Sequence, residues 1–467
     1  MNMTMKKRSL ALALALSLTT GFGIVQASPA ENQAPPAMTQ SGTMPAPPDG
    51  QLPPGPPPDG KMGGPGMQQT KSASEFTAAK GVDQTTASYD NLSLAAENTD
   101  ENTVLVRNGG NLTLTNSTLN KTGNSSSADA SNFSGQNAVF LASDSTAKLS
   151  NVTLTSDADG ANAVFATGKN SVINADHLTI HTKNNSSRGL DATYDGTIKA
   201  TNVDITTEGA HCGALATDRG EGTVIVKNAK IKTSGQGSPC IYSTGDIRLS
   251  DGTGEATGSE IAAVEGKNSI TLNNADLTGH VDHGVMLYQS FSGDADVGEA
   301  KFSAKDSKLT NLSSGPMFYI TNTTATASLE NTQLVQNGDV LVNVTSGRWD
   351  TAGKNGGDFT LNATNQKLTG KVLANNISSV TLNLGNKASF LGSFNEDNAA
   401  KKASISLKKD SSWELTADSY VTTITDENAK FRNIKSNGHN IYYDKASNTA
   451  LNGKTIKLPG GGKLIAK

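Results

Sequence analysis

The chain has 467 residues, of which only 35% are hydrophobic and 5% aromatic, with 47 glycines and a formal net charge of −4. That is too lean in large side chains for a conventional globular core of this length and too periodic for a wholly disordered chain, so a thin core spread over many short turns is expected. The mild acidity, with no Lys/Arg cluster after residue 8, excludes the electrostatic footprint of a nucleic-acid binder.

In chain order, Lys6, Lys7 and Arg8 precede an apolar run from Leu10 to Leu18, and Val25-Gln26-Ala27 offers small residues at the cleavage positions. Residues 1–27 therefore read as a secretory signal peptide, too short for a stable membrane span. Its removal leaves 36 basic against 43 acidic residues, a net charge of about −7. No later apolar stretch approaches 18 residues, so no transmembrane segment is expected and the localisation is secreted or cell-surface. Residues 28–71 hold twelve of the fifteen prolines, between Pro29 and Pro65, and repeat "PPDG" at 47 and 57. Such a segment cannot build a core and is read as a disordered, extended Pro/Gly-rich linker.

From about residue 86 the sequence repeats itself in units of roughly 21 to 31 residues, as in "NAVFLASDSTAKLSNVTLTSDADGA" (137–161), "NAVFATGKNSVINADHLTIHTKNNSS" (162–187) and "RGLDATYDGTIKATNVDITTEGAH" (188–211). A period of this length marks a solenoid. Each unit carries three short apolar stretches with β-branched alternation, such as "VTLT", "LTIH" and "VDIT", separated by Gly, Asn, Asp and Ser. No helical period is present, and the strands are too short for hairpins, so each strand is expected to stack on its equivalent in the next coil. The fold class is all-β: a single right-handed parallel β-helix of roughly 12 coils, narrow-cored, with about 4.8 Å added per coil. Asn137 and Asn162 look like one repeated slot, where amides would form a ladder. The N-terminal cap and first strands are placed at 72–100, the β-helix at 101–410, and the C-terminal coils and cap at 411–467, opened by "SSWELTADSYVTTITDENAKF" (411–431).

These coils resemble secreted bacterial right-handed β-helix proteins, the pectin-lyase-like superfamily and the passenger domains of autotransporter adhesins. The stretch "SSWELTADSYVTTI" is similar to the closing coils of such passengers. The resemblance implies the fold, and for function it implies a range from adhesins to polysaccharide lyases and hydrolases. The chain departs from the autotransporter pattern because 36 residues after 431 are too few for a membrane barrel.

Acidic, basic and aromatic residues recur just after the "ALAT"-type strand: Asp195, Asp218 with Arg219, Asp246, Glu265 with Lys267, and Tyr288 with Gln289. Stacked, they would form an outer stripe able to hydrogen-bond sugar hydroxyls, with Tyr288 stacking on a ring; the alternative is a solvated set of turn residues. No catalytic residue is assigned. No cofactor is expected, except that the alternating acids of "SGDADVGE" (292–299) could hold calcium, although they lack a full calcium-loop spacing. His177 with His181, and His280 with His283, lack a third ligand at a recognisable spacing, so no metal site is assigned. The expected function is a monomeric, non-enzymatic, adhesin-like or carbohydrate-binding protein whose partners are extracellular glycans or host- and cell-surface molecules. A polysaccharide lyase or hydrolase and a structural spacer are the alternatives.

Cys212 and Cys240 are the only cysteines. Aligned on themselves they would stack about 5 Å apart on successive coils, within disulfide reach; aligned on "GALAT" and "CIYS", at an offset of 26, they would sit about 8 Å apart, too far. In an oxidising compartment the bridge is the favoured expectation.

Overall fold

The structure, a computed structural model, describes residues 72–467. The segments read as signal peptide and linker lie outside those residues. The described chain winds into a parallel β-solenoid of about 16 turns. This exceeds the expected 12 because the C-terminal turns are short, with equivalent residues only 21–23 apart across Lys367–Thr369, Ser389–Leu391, Ser412–Glu414 and Ile434–Lys435.

One wall is a twelve-stranded parallel sheet that runs from Thr77–Asp83 to Lys371–Ala374, one strand per coil. The opposite wall starts with the short strands Thr86–Asp90 and Ser93–Ala96 and continues in eleven-residue strands, among them Val172–Thr182, Thr197–Thr207 and Thr223–Thr233. In Thr223–Thr233 the buried positions are Val224 and Val226, then Ala229, Ile231 and Thr233. The inward phase therefore slips by one residue at Asn228, whose φ of 57° is left-handed. A strand alternates with period two, so a single left-handed residue both bends it and exchanges its faces.

The same corner recurs in register at Asn91, Asn116, Asn151, His177, Asn202, Asn228, Asp251, Asn274, Asp306, Asn331 and Asn365, all with positive φ. Asn and Asp suit this conformation because their short polar side chains tolerate it and bond locally. Asn151 Nδ2 donates to Asn116 Oδ1 at 2.8 Å and Asn228 Nδ2 to Asn202 Oδ1 at 2.6 Å. The amide ladder thus lies on the outer corner and not at Asn137 and Asn162. Those two are one position out of register and donate to backbone carbonyls, Asn137 to Gly123 O and Asn162 to Ser131 O.

The core is small-chained in the N-terminal coils, as expected, but becomes aromatic beyond them. Phe302 and Phe359 flank Phe318 at ring separations of 6.0 and 6.4 Å, and Phe390 stacks on Trp413 at 5.9 Å. Trp413 is fully buried and its indole N–H donates to Gly392 O at 3.0 Å. An antiparallel pairing of Ile456–Lys457 with Lys463–Ala466 closes the C-terminal end, which blunts an otherwise open edge.

Both thiols are free. Leu215 pairs with Ile241, so the offset is 26 and the cysteines occupy slots two residues apart, the alternative that places them beyond disulfide reach. Cys212 stands in a column of hydroxyl residues: Ser187 N–H donates to its Sγ at 3.0 Å, and its own N–H donates to Ser238 Oγ at 2.9 Å. Cys240 belongs to the apolar core. Burial pushes both thiols up to about 12.

Candidate functional site

The corner residues give a ruler for coil length. Seven of the ten intervals between them are 23–26 residues and three are 32–35. The three long coils, 116–151, 274–306 and 331–365, contain the helix Ala128–Ser134 and the loops 289–298 and 345–357. The helix is two turns long, started by Ser127 Oγ accepting from Ala130 N–H and ended by left-handed Gly135. All three insertions pack on the outer face of the twelve-stranded sheet. Thr193 Oγ donates to Phe133 O at 2.9 Å, the Arg219 guanidinium lies 3.7 Å over the Phe133 ring, and Trp349 packs on Tyr288 at 4.9 Å.

The floor beneath them is polar. In the column where Leu141 and Phe165 present apolar side chains outward, the next coils place Asp191, Ala216 and Tyr242. Arg188 bridges Asp191 at 3.0 Å and Asp218 at 2.8 Å, and both carboxyls are almost completely buried. Burial raises both carboxyls above their usual range, opposed by Arg188; for Asp218 the charges of Asp294 and Asp191 add to the rise. Arg219 reaches across 75 residues of sequence to Asp294 at 3.0 Å, joining the sheet to the 289–298 loop.

Glu265 is the second hub. One carboxylate oxygen accepts from Tyr242 OH at 2.9 Å and Tyr288 OH at 2.8 Å; the other accepts from Ser290 N–H at 3.2 Å and from the Ser290 hydroxyl. Burial raises its pKa against the hydrogen bonds from Ser290 and Tyr288. Burial and then the Glu265 charge hold both phenols well above the normal tyrosine range, so they stay protonated donors. The face continues with Tyr319, stacked on His283 at 4.4 Å, and with Arg348 lying 4.6 Å over the Trp349 ring.

Of the residues picked out from the sequence, Asp218, Arg219, Glu265, Tyr288 and Gln289 come together here, but as a largely buried floor and not as an exposed stripe. Lys267 sits at the rim, held by Glu221 at 2.7 Å and Asp296 at 3.0 Å. Asp195 is an exposed residue of a left-handed turn, and Asp246 lies on the other wall with Arg248 and Ser269, so neither joins the face. Sequence reading missed Arg188, Asp191, Tyr242, Ser290 and Trp349, and took Asp294 only as part of a possible calcium loop. The one local signal was "RGLDAT", which puts a carboxylate where "NAVFAT" has Phe165.

The three acids of the expected calcium loop are engaged with cations, Asp294 with Arg219, Asp296 with Lys267 and Glu299 with Lys301. Among the described residues no group of three or more His, Cys, Asp or Glu is placed to hold a metal. His177 and His181 do not share a face, because the corner falls at His177. They pair with Asp176 at 2.9 Å and Glu208 at 2.6 Å. No protein-family model matches the chain, and comparison with curated proteins and with solved structures gives no match.

Proposed function

We propose that the chain is an exported, non-enzymatic β-helix protein that binds a glycan on the outer face of the twelve-stranded sheet. The observation that carries this reading is the framing of one polar, aromatic-edged face by all three long coils. Aromatic edges supply the apolar contact that sugar rings need, while fixed carboxyl, phenol and guanidinium groups match hydroxyls. The signal-like residues 1–27 support export.

A lyase or hydrolase is the second reading, favoured by Arg188 held between two carboxyls. Against it, Arg188 and both carboxyls are buried and bonded to one another, so none of the three is free to act on a substrate. Glycan-array binding of the full chain with and without calcium, alongside a turnover assay, tests the choice. Binding that falls at least tenfold in Trp349→Ala, without release of sugar, is expected. Release of unsaturated or reducing sugars would replace binding by catalysis, and an array without any binding would leave a structural spacer.

A further inference from the structure

The two ends of the rod are built differently. The C-terminal end is closed by the antiparallel pairing of Ile456–Lys457 with Lys463–Ala466. At the other end the first coil, Thr77–Asp83 with Thr86–Asp90 and Ser93–Ala96, pairs only with the second. Gln84 N–H donates to Arg107 O and Asn91 N–H to Thr115 O, both toward that second coil. Neighbouring residues of a strand turn their N–H and C=O to opposite sides. Gly81 and Asp83 on one wall and Ser88 and Asp90 on the other therefore aim theirs off the end, where no described strand lies. The core is open there too. Ala87, Tyr89 and Leu94 are half-buried, whereas their counterparts one coil on, Leu112, Leu114 and Leu119, are fully buried. The first described residues do not cover this end but lie along the side: Phe76 packs on Leu105, Leu141 and Phe165, and Arg107 donates to the carbonyls of Ala73, Ser74 and Phe76.

An occupant of this end must match a ring of strand edges and an apolar lumen together. The preceding residues are poorly suited, because twelve prolines between Pro29 and Pro65 interrupt them and proline brings no donor to a ladder. A second copy of the same end has the same outline, the same free edges and the same exposed lumen. The closed C-terminal end offers none of these, so copies meet head to head. The geometry points to a two-fold dimer through the N-terminal ends, in which the first coils of two copies pair as antiparallel strands and close one continuous core. A half-turn across the rod axis reverses strand direction, hence the antiparallel ladder, and it uses up both free ends, hence no larger assembly. The first coil, Thr77 to Ala96, gives each copy about twenty residues of contact, as in stable interfaces. Lys80 is the inward charge of this coil, and it carries its own partner into the contact, with Nζ lying 4.6 Å over the Tyr89 ring.

The test is sedimentation velocity of the full chain from sub-micromolar to sub-millimolar concentration, with Gly81→Pro, Ser88→Pro and Val297→Lys alongside. Each proline removes an N–H that no strand of the chain receives, and a Cβ at Gly81 would meet nothing within 4 Å, so the monomer should keep its fold by circular dichroism. A single dimeric species is expected, weakened at least tenfold by each proline and unchanged by Val297→Lys, which alters a 65% exposed apolar residue away from this end. Amide hydrogen exchange of residues 77–96 is the second readout and should slow on dimerisation. A chain that stays monomeric at the highest concentration overturns the proposal: if these amides are protected its own preceding residues cover the end, and if they exchange freely the end is left open. Species larger than the dimer overturn it, as does a dimer weakened by Val297→Lys and not by the prolines. Should either proline unfold the chain, exchange in the unaltered protein decides, and a dimer in which these amides do not slow overturns it.

Discussion

Glu265→Gln isolates the hub of the face. The carboxylate accepts from two tyrosine hydroxyls and from Ser290, while an amide keeps one acceptor oxygen and turns a donor toward the other partners. If the oxygen faces Ser290, the two phenolic protons lose their carboxyl acceptor. At about 1 kcal/mol each this is about 2 kcal/mol. The pH dependence is more diagnostic than the size. Burial raises the Glu265 pKa, so the proton it holds in the folded state gives stability that is fully present below the unfolded value of about 4.3 and is lost as pH rises through the folded value. Glutamine has no such contribution, so the destabilisation should be largest near pH 4 and shrink toward pH 7. Asp294 acts on Glu265 in both proteins' surroundings and does not change the direction. Urea unfolding followed by fluorescence of Trp349, which packs on Tyr288, gives the measurement. A loss that grows with pH would mean that the ionised form is the favoured one and would refute the reasoning, as would a loss below about 0.5 kcal/mol throughout.

At the corner, Asn228→Ala should cost about 2 kcal/mol, from left-handed strain and the lost bond to Asn202, and Asn228→Gly about 1 kcal/mol from the bond alone. Urea midpoints that rank Ala above Gly would contradict the conformational account. Cys212→Ser should cost less than about 1 kcal/mol, because flanking coils already place Ser187 and Ser238 in its slot, whereas Cys240→Ser buries a hydroxyl among apolar neighbours and should cost about 1–3 kcal/mol. The intact mass should be unchanged by reduction, and a 2 Da gain would show a bond between the two.

Much of the fold is written locally. The 21–31-residue repeat, the β-branched alternation and the Asn/Asp turns specify coils, because each coil meets only its neighbours. What escaped was information of finer or longer range. The offset between successive coils changes with the connections, 24 from Phe140 to Val164 and 26 from Leu215 to Ile241, so motif matching aligned Asn137 with Asn162 and left the cysteine offset between 26 and 28. The helix Ala128–Ser134, "ADASNFS", has only two strong helix formers, Ala128 and Ala130, is too short to stand alone, and exists because its cap and Phe133 are held against the sheet. The site was half legible. Asp218, Glu265 and Tyr288 recur with the coil, but Asp294 and Trp349 arrive on insertions that interrupt the period. Turn-like acids were read as exposed because nothing in a repeat announces that a loop from another coil will cover them.

The corner also sets the grammar by which such a rod can change length. Joining Asn202 directly to Ala229 would excise one whole coil and return the chain to the same wall, the same handed turn and the same inward phase. Losing one residue more or fewer within a strand would instead turn the remaining apolar faces outward. Editing is therefore quantised along the strands and free only in the connections that leave them. All three long insertions are found in those connections, so the rod can acquire new surface without renegotiating its interior.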